Sequence, residues 1–254
     1  MLKLGMQRYF IELSYDGGAY HGWQRQPNAY SVQQELEQAL ERMLGCEVPI
    51  VGQGRTDTGV HAKKSFAHFD FDGSLPDKLE QRLNGYLPQS LGIHRIVPVL
   101  PEAHARFSAL SRSYEYHLHA RKSPLLYGRS MLAYPWPDVA LMNEAAAILL
   151  SYQDFACFAR SGGGQQTTLC SITKANWAAT EHEAVFTITA NRFLRNMVRA
   201  IVGTLLEIGR GKRSLESLHK LLKSGKRTEA GQSVPGHGLY LTDVHYPSRI
   251  YADN

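Results

Sequence analysis

Cysteine is scarce in this 254-residue chain: Cys46, Cys157 and Cys170 are the whole set. No two of them form a C-x-x-C pair, which removes a zinc knuckle and a dithiol redox motif and points to the reduced thiols of a cytosolic protein. Long hydrophobic runs are missing too. No stretch approaches the roughly 18 apolar residues of a bilayer span, and MLKLGMQRYF lacks the apolar core of a signal peptide, so a cytoplasmic protein is expected. G-x-S-x-G and H-E-x-x-H do not occur. The glycine-rich SGGGQQ from Ser161 lacks the Gly-Lys-Ser/Thr ending of a phosphate-binding loop and reads as a flexible connection. His117 and His119 can share a strand face, but no third ligand stands at matching spacing, so no metal is expected.

Charge of one sign is only mildly in excess. Lys and Arg number 28 against 23 Asp and Glu, a formal +5. That suits a polyanionic partner such as nucleic acid without requiring one. The hydrophobic share of 43% is enough for a core and excludes a disordered chain.

The patterning predicts a mixture of strands and helices. RYFIELSYDG alternates, with Ile11, Leu13 and Tyr15 on one face and Phe10, Glu12 and Ser14 on the other, and DGG then turns the chain. Ser31 opens SVQQELEQALERMLG, where Val32, Leu36, Ala39, Leu40 and Met43 fall at helical spacing and Gly45 can stop the helix. EVPIVGQ reads as a short strand and Leu79 to Leu87 as a helix. Further on, SRSYEYHLHA predicts a strand, Asp138 to Leu150 a helix, and SITKANWAATEHEAVFTITA two strands broken near Glu181. NRFLRNMVRAIVGTLLEIG is the longest helical pattern, followed by the helix SLESLHKLLKSG and the strand LYLTDVHYP. Without regular β-α-β alternation, the class is α+β rather than doubly wound α/β. A division into residues 1–104 and 105–254 is expected from the roughly even split.

Three constellations carry chemistry. GRTDTGVHA, residues 54–62, sets Asp57 among glycines that let a ligand approach the backbone, with Arg55 two positions back. The residues alone leave two readings open, a ligand-facing carboxylate or an aspartate that closes a turn. RFLRNMVRAIVG places Arg192, Arg195 and Arg199 within one narrow arc if the segment is a continuous helix. Phe193, Leu194, Met197, Val198 and Ile201 fill the rest of that circumference, which favours an arginine-lined cleft over a solvated basic face. Gly203 would leave room beside Arg199. In RSYEYH, Tyr114 and Tyr116 share a strand face, either as core or as a platform for a base.

Together, YDGGAYHGWQRQ with SVQQELEQAL, GRTDTGVHA, HARFSALSRSYEYHL, NRFLRNMVRAIVG and GLYLTDVHYP resemble, in order and over nearly the whole chain, the tRNA pseudouridine synthase I (TruA) family. The resemblance implies two mixed subdomains with antiparallel sheets and helices flanking a basic cleft. The first would carry the Asp loop, the second the Tyr strand and Arg helix. It implies isomerisation of uridine at positions 38, 39 and 40 of the tRNA anticodon stem-loop, by a homodimer and without a cofactor, since no redox step occurs. Asp57 matches the catalytic aspartate, Arg199 the basic residue that pairs with it, and Tyr114 the tyrosine that stacks on the target base. Arg55 matches a position suited to intercalation or phosphate contact, and Leu241 an apolar wall of the pocket. Arg25, Arg106, Arg112, Arg192 and Arg195 are then candidate tRNA contacts. Thr58 stands where alanine is frequent in the family. An RNA-binding protein without catalysis, or a hydrolase using Asp57 with water, are the competing readings. The first has no use for the paired carboxylate, and the second lacks a neighbouring second carboxylate.

Overall fold

The computed structural model describes residues 5–160 and 166–252. Of the segment read as a flexible loop, Ser161 to Gln166, residues 161–165 lie outside them. The chain forms two compact units. One holds the residues up to Leu110 together with those from Leu241 on; the other holds Ser111–Tyr240. The expected division after residue 104 stands a few residues before the observed one, and the C-terminal stretch belongs with the first unit.

In the first unit, β1 (Met6–Tyr15) leads to α1 (Val32–Leu44), β2 (Val51–Gly52), β3 (His61–Asp72), α2 (Leu79–Tyr86) and β4 (Leu91–Val99). Alternation in β1 buries Ile11, Leu13 and Tyr15 as its pattern predicts, and Phe10 as well. Ser31 caps α1 by accepting a hydrogen bond from Gln34 N, and Gly45 ends it in the left-handed region at φ 75°. Such a cap contributes about 0.5–2 kcal/mol, and the apolar stripe Val32, Leu36, Ala39 and Leu40 is fully buried. β1 runs antiparallel between β3 and β4, with Phe10 opposite His68 on one side and Val97 on the other. β4 is the outer strand, where Pro98, having no N–H to donate, is tolerated. α2 packs on β4 and on α1.

The second unit follows with β5 (Ser111–His119), β6 (Met131–Leu132), α3 (Val139–Leu149), β7 (Ile172–Ala179), β8 (Glu183–Ala190), α4 (Met197–Gly209) and α5 (Leu215–Ser224). β8 lies antiparallel between β5 and β7, with Tyr114 opposite Ile188 and Trp177 opposite Phe186. α3 packs on β7, α4 and α5. Finally β9 (Leu239–His245) carries the chain back, and its residues from Leu241 join the first unit beside β3. There Tyr246 sets its ring edge-on to Phe10 and Phe66, each at 5.1 Å. The β1–β3, β1–β4, β2–β3, β5–β8 and β7–β8 pairs are antiparallel and the β5–β6 pair is parallel, so the α+β class holds.

One expectation fails. The helix at the arginine-rich segment begins only at Met197, because Asn196 takes a left-handed conformation at φ 67°. At 13 residues α4 equals α1 rather than exceeding it. Arg192 and Arg195 lie in the irregular stretch before it. They share no helical face with Arg199, and the stripe argument for a cleft falls with them.

Candidate active site

In the first unit, Asp57 sits half-buried on the loop between β2 and β3. Its backbone is held by the preceding glycine loop. Trp23 N donates to Thr56 O at 3.3 Å, and the Tyr15 hydroxyl meets Thr56 Oγ1 at 3.0 Å. Gly22, at φ 93°, lies so close that a Cβ would overlap Thr56 O and stand 3.3 Å from the Asp57 carbonyl carbon. Gly17 approaches the Val60 carbonyl in the same way. The Trp23 indole covers Gly52 of β2 and is itself buried. His61 Nδ1, just past the loop, accepts from Gly17 N at 3.1 Å. Val60 N closes the turn onto Asp57 O at 3.2 Å. YDGGAYHGW and GRTDTGVH are therefore one packed assembly, in which side chains at positions 17 and 22 would push on the Asp57 loop and one at position 52 on the Trp23 indole.

The other candidates in this unit are distributed. Arg55 is exposed and donates from Nε to Gln24 Oε1 at 3.0 Å. Arg25, next to Gln24, pairs with Glu37 at 3.3 Å on the surface, an interaction contributing under about 1 kcal/mol. Arg55 and Arg25 thus flank one glutamine at the rim of the glycine loop. Arg106 lies on a separate loop with its guanidinium 5.3 Å from the Phe107 ring. Leu241 is fully buried in β9.

In the second unit, Tyr114 is half-buried on β5, its ring edge-on to Phe193 at 5.1 Å and 89°. Arg112 donates to Asn191 O at 2.9 Å. Arg112, Tyr114, Asn191 and Phe193 therefore gather where β5 meets the end of β8. Arg192 is half-buried there and Arg195 is exposed. Tyr116 behaves differently from its strand partner. It is fully buried, donates to Pro235 O at 2.9 Å, and lies against Gly238 so that a Cβ there would stand 2.7 Å from its ring. Burial raises its pKa, partly opposed by the nearby charge of Arg199. Of the two tyrosines, Tyr116 is the core residue.

Arg199, on the first turn of α4, is held at both ends. Its Nε donates to Val234 O at 2.7 Å, and Val234 N donates to its own carbonyl at 3.2 Å. Residues 231–235 form a strap along α4. Gly231 N donates to Thr204 Oγ1 at 2.9 Å, and Ser233 Oγ accepts from Asn196 Nδ2 at 2.6 Å and Arg227 Nη2 at 2.9 Å. The room left by Gly203 is taken by the Gln232 carbonyl. Sequence reading missed Phe193, Ser233 and Val234. Only the position of Phe193 beside the arginines hinted at a site, and the strap residues carried no periodic signal.

Among the described residues no group of three or more His, Cys, Asp and Glu is placed to hold a metal ion, and no helix is long and apolar enough to cross a membrane.

A family model described as tRNA pseudouridine synthase matches residues 145–247. The tRNA pseudouridine synthase A of Parabacteroides distasonis is 47% identical over 251 residues, covering 97% of this chain and 98% of that protein. Those of Bacteroides fragilis and Porphyromonas gingivalis are 45% and 47% identical over 251 residues, covering 98% and 97% of this chain and the whole of each relative. Similarity of this degree along nearly the full length of both chains places the protein in the tRNA pseudouridine synthase A (TruA) family of isomerases.

Proposed function

We propose that this enzyme converts uridine to pseudouridine at positions 38, 39 and 40 of the tRNA anticodon stem-loop, with Asp57 as the carboxylate that acts on the nucleotide. The reaction breaks the C1′–N1 glycosidic bond, turns the uracil and rejoins it through C5, and the hydrogen at C5 leaves as a proton. The observation that carries the reading is the fixed setting of Asp57, on a loop clamped by Gly17, Gly22 and Trp23. A reacting group gains most when it is held in place before the substrate arrives.

Each other residue has a part in this reading. Arg199 is the cation that pairs with Asp57 and orients it, and its tether to Val234 suits that duty. Tyr114 stacks on the target uracil. Arg55 fills the space the flipped nucleotide vacates, offsetting part of a cost of a few kcal/mol. Leu241 walls the pocket, and its complete burial suits a supporting role. Arg25, Arg106, Arg112, Arg192 and Arg195 contact phosphates, which fix register and make affinity fall with salt. The enzyme works as a cytoplasmic homodimer.

The test is tritium release from tRNA labelled at uracil C5, with wild type beside Asp57→Asn and Arg199→Ala. Wild type releases tritium and both variants do not, while Asp57→Asn binds tRNA within about tenfold of wild type, some 1.4 kcal/mol. Turnover by Asp57→Asn would remove Asp57 from the chemistry. Mapping the product by carbodiimide adducts and primer extension places the modification. Pseudouridine outside positions 38–40 would overturn the proposed site.

A further inference from the structure

Among the described residues of the first unit, Phe107 is the most exposed large hydrophobic side chain, at 73%. Single exposed hydrophobic residues are ordinary on protein surfaces. This one differs in how its loop is held. His104 Nδ1 accepts from both Arg106 N at 3.0 Å and Phe107 N at 3.4 Å. Ser108 closes the loop from the other side, its Oγ accepting from His104 N and its N donating to His104 O, both at 2.9 Å. Ala105 is pinned at both backbone groups, by His68 Nδ1 at 3.1 Å and by the Tyr246 hydroxyl at 2.6 Å. Arg8 Nη1 donates to Ala103 O at 2.9 Å while its other nitrogens grip Asp70.

The ring is backed by neighbours of useful chemistry. His104 lies 4.4 Å from it, and His104 in turn packs edge-on to His68 at 4.6 Å. The Arg106 guanidinium sits 5.3 Å from the ring centroid. Burial lowers the pKa of His104, with help from the charges of Arg8 and Arg106, which favours the neutral ring whose Nδ1 accepts from the two amides. A rigid loop thus offers a bare aromatic face beside a cation. That combination fits an unstacked nucleobase joined to a phosphate, because every base has a π-face and a charge at its backbone.

We propose that Phe107 is a stacking platform for an unpaired nucleobase of the bound tRNA, with Arg106 directed to the adjoining phosphate. The ring reads the flatness of a base and not its edge, so the platform is tolerant of sequence. The proposal rests on tRNA as the substrate and is independent of the part assigned to Asp57.

Equilibrium binding of unmodified tRNA transcript, measured at several salt concentrations, tests it with Phe107→Ala, Phe107→Leu, Phe107→Trp and Arg106→Ala. Phe107→Ala weakens binding about tenfold, or 1.4 kcal/mol, within the range seen for losing one base–aromatic stack. Phe107→Trp stays within about twofold of wild type, and Phe107→Leu is as weak as the alanine variant. The salt slope is unchanged by Phe107→Ala, because a phenyl ring displaces no counterions, and is reduced by Arg106→Ala. Wild-type binding by Phe107→Ala, or rescue by Phe107→Leu, would overturn the proposal; so would a change of oligomeric state in Phe107→Ala by sedimentation, which would assign the ring to an interface between copies. Should Phe107→Ala fail to fold, the comparison of Trp with Leu still decides. Failure of the functional reading itself would show as wild type that neither binds tRNA nor releases tritium.

Discussion

The α-carbon of Gly203 faces the carbonyl oxygen of Gln232 with no space for a methyl group between them. Four residues earlier on the same helix, Arg199 is tethered to Val234. One close approach of backbone to helix therefore governs the position of a charged side chain one turn away. Gly203→Ala is expected to lift the strap and to destabilise the protein by about 1–3 kcal/mol, the usual range for overpacking a tight contact. Chemical denaturation measures it. An unchanged midpoint would show that the strap can shift without cost.

Ser233 should be felt through two donors. Its hydroxyl accepts from Asn196 and from Arg227, so Ser233→Ala leaves both without that acceptor. A loss of about 1–3 kcal/mol is expected, together with a fall in kcat as Arg199 loosens. Ser233→Thr, which keeps the oxygen, should recover most of both. Equal loss in the two variants would mean that packing, not the hydrogen bonds, is what matters there.

Gly17 tests the clamp on Asp57. A Cβ at position 17 would overlap the Val60 carbonyl oxygen, so Gly17→Ala must displace the Asp57 loop. A drop in turnover of tenfold or more is expected, larger than any loss of thermal stability alone would produce at the assay temperature. Steady-state kinetics beside a melting curve separates the two effects.

His68 sets a dependence on pH. Burial, then the charges of Arg8 and His104, lowers its pKa to about 4. The fold therefore favours the neutral ring. Its contribution is complete above about 6.5 and is lost as pH falls from there toward about 4, since over that window the unfolded chain binds a proton that the folded chain refuses. The slope from this one group is at most about 1.4 kcal/mol per pH unit. Unfolding free energy titrated across this range should decline, and less steeply in His68→Asn, whose Oδ1 can still accept from Ala105 N. An identical slope in the variant would place the effect on other groups.

Much of the fold was legible where one local rule decided the outcome. β1 alternates because one of its faces is core, and α1 announces itself by Ser31, its apolar stripe and Gly45. β3 was not legible. Its buried run Ser65 to Phe69 breaks alternation, because both faces are covered there, and its polar His68 is satisfied only by the distant Ala105 N. β4 was hidden by Pro98, which only an outer strand can hold. Asn196 is the sharper lesson. Helical spacing from Arg192 to Arg199 was present in the sequence, but one left-handed residue, held by a bond to the distant Ser233, cut the segment in two. Asp57, Tyr114 and Arg199 were singled out by motif. The glycine clamp around Asp57 and the contacts of the strap with α4 join residues 27 or more positions apart, and no local pattern encodes such pairs.

The return of the last strand has a consequence for biosynthesis. Residues from Leu241 on complete the first unit beside β3, with Leu110 N donating to His245 O, Leu100 N to Ile250 O and Tyr246 to Ala105. While the chain is still emerging from the ribosome, the loop that bears Phe107 has none of those partners, and one side of β3 lacks its full complement. An open strand edge of this kind is an aggregation hazard. The second unit, whose residues are contiguous, can close as soon as it is made, whereas the unit begun first is finished last. Nascent chains arrested before residue 241 should accordingly protect β5 and β8 from proteolysis while leaving the segment around Ala105 open to it.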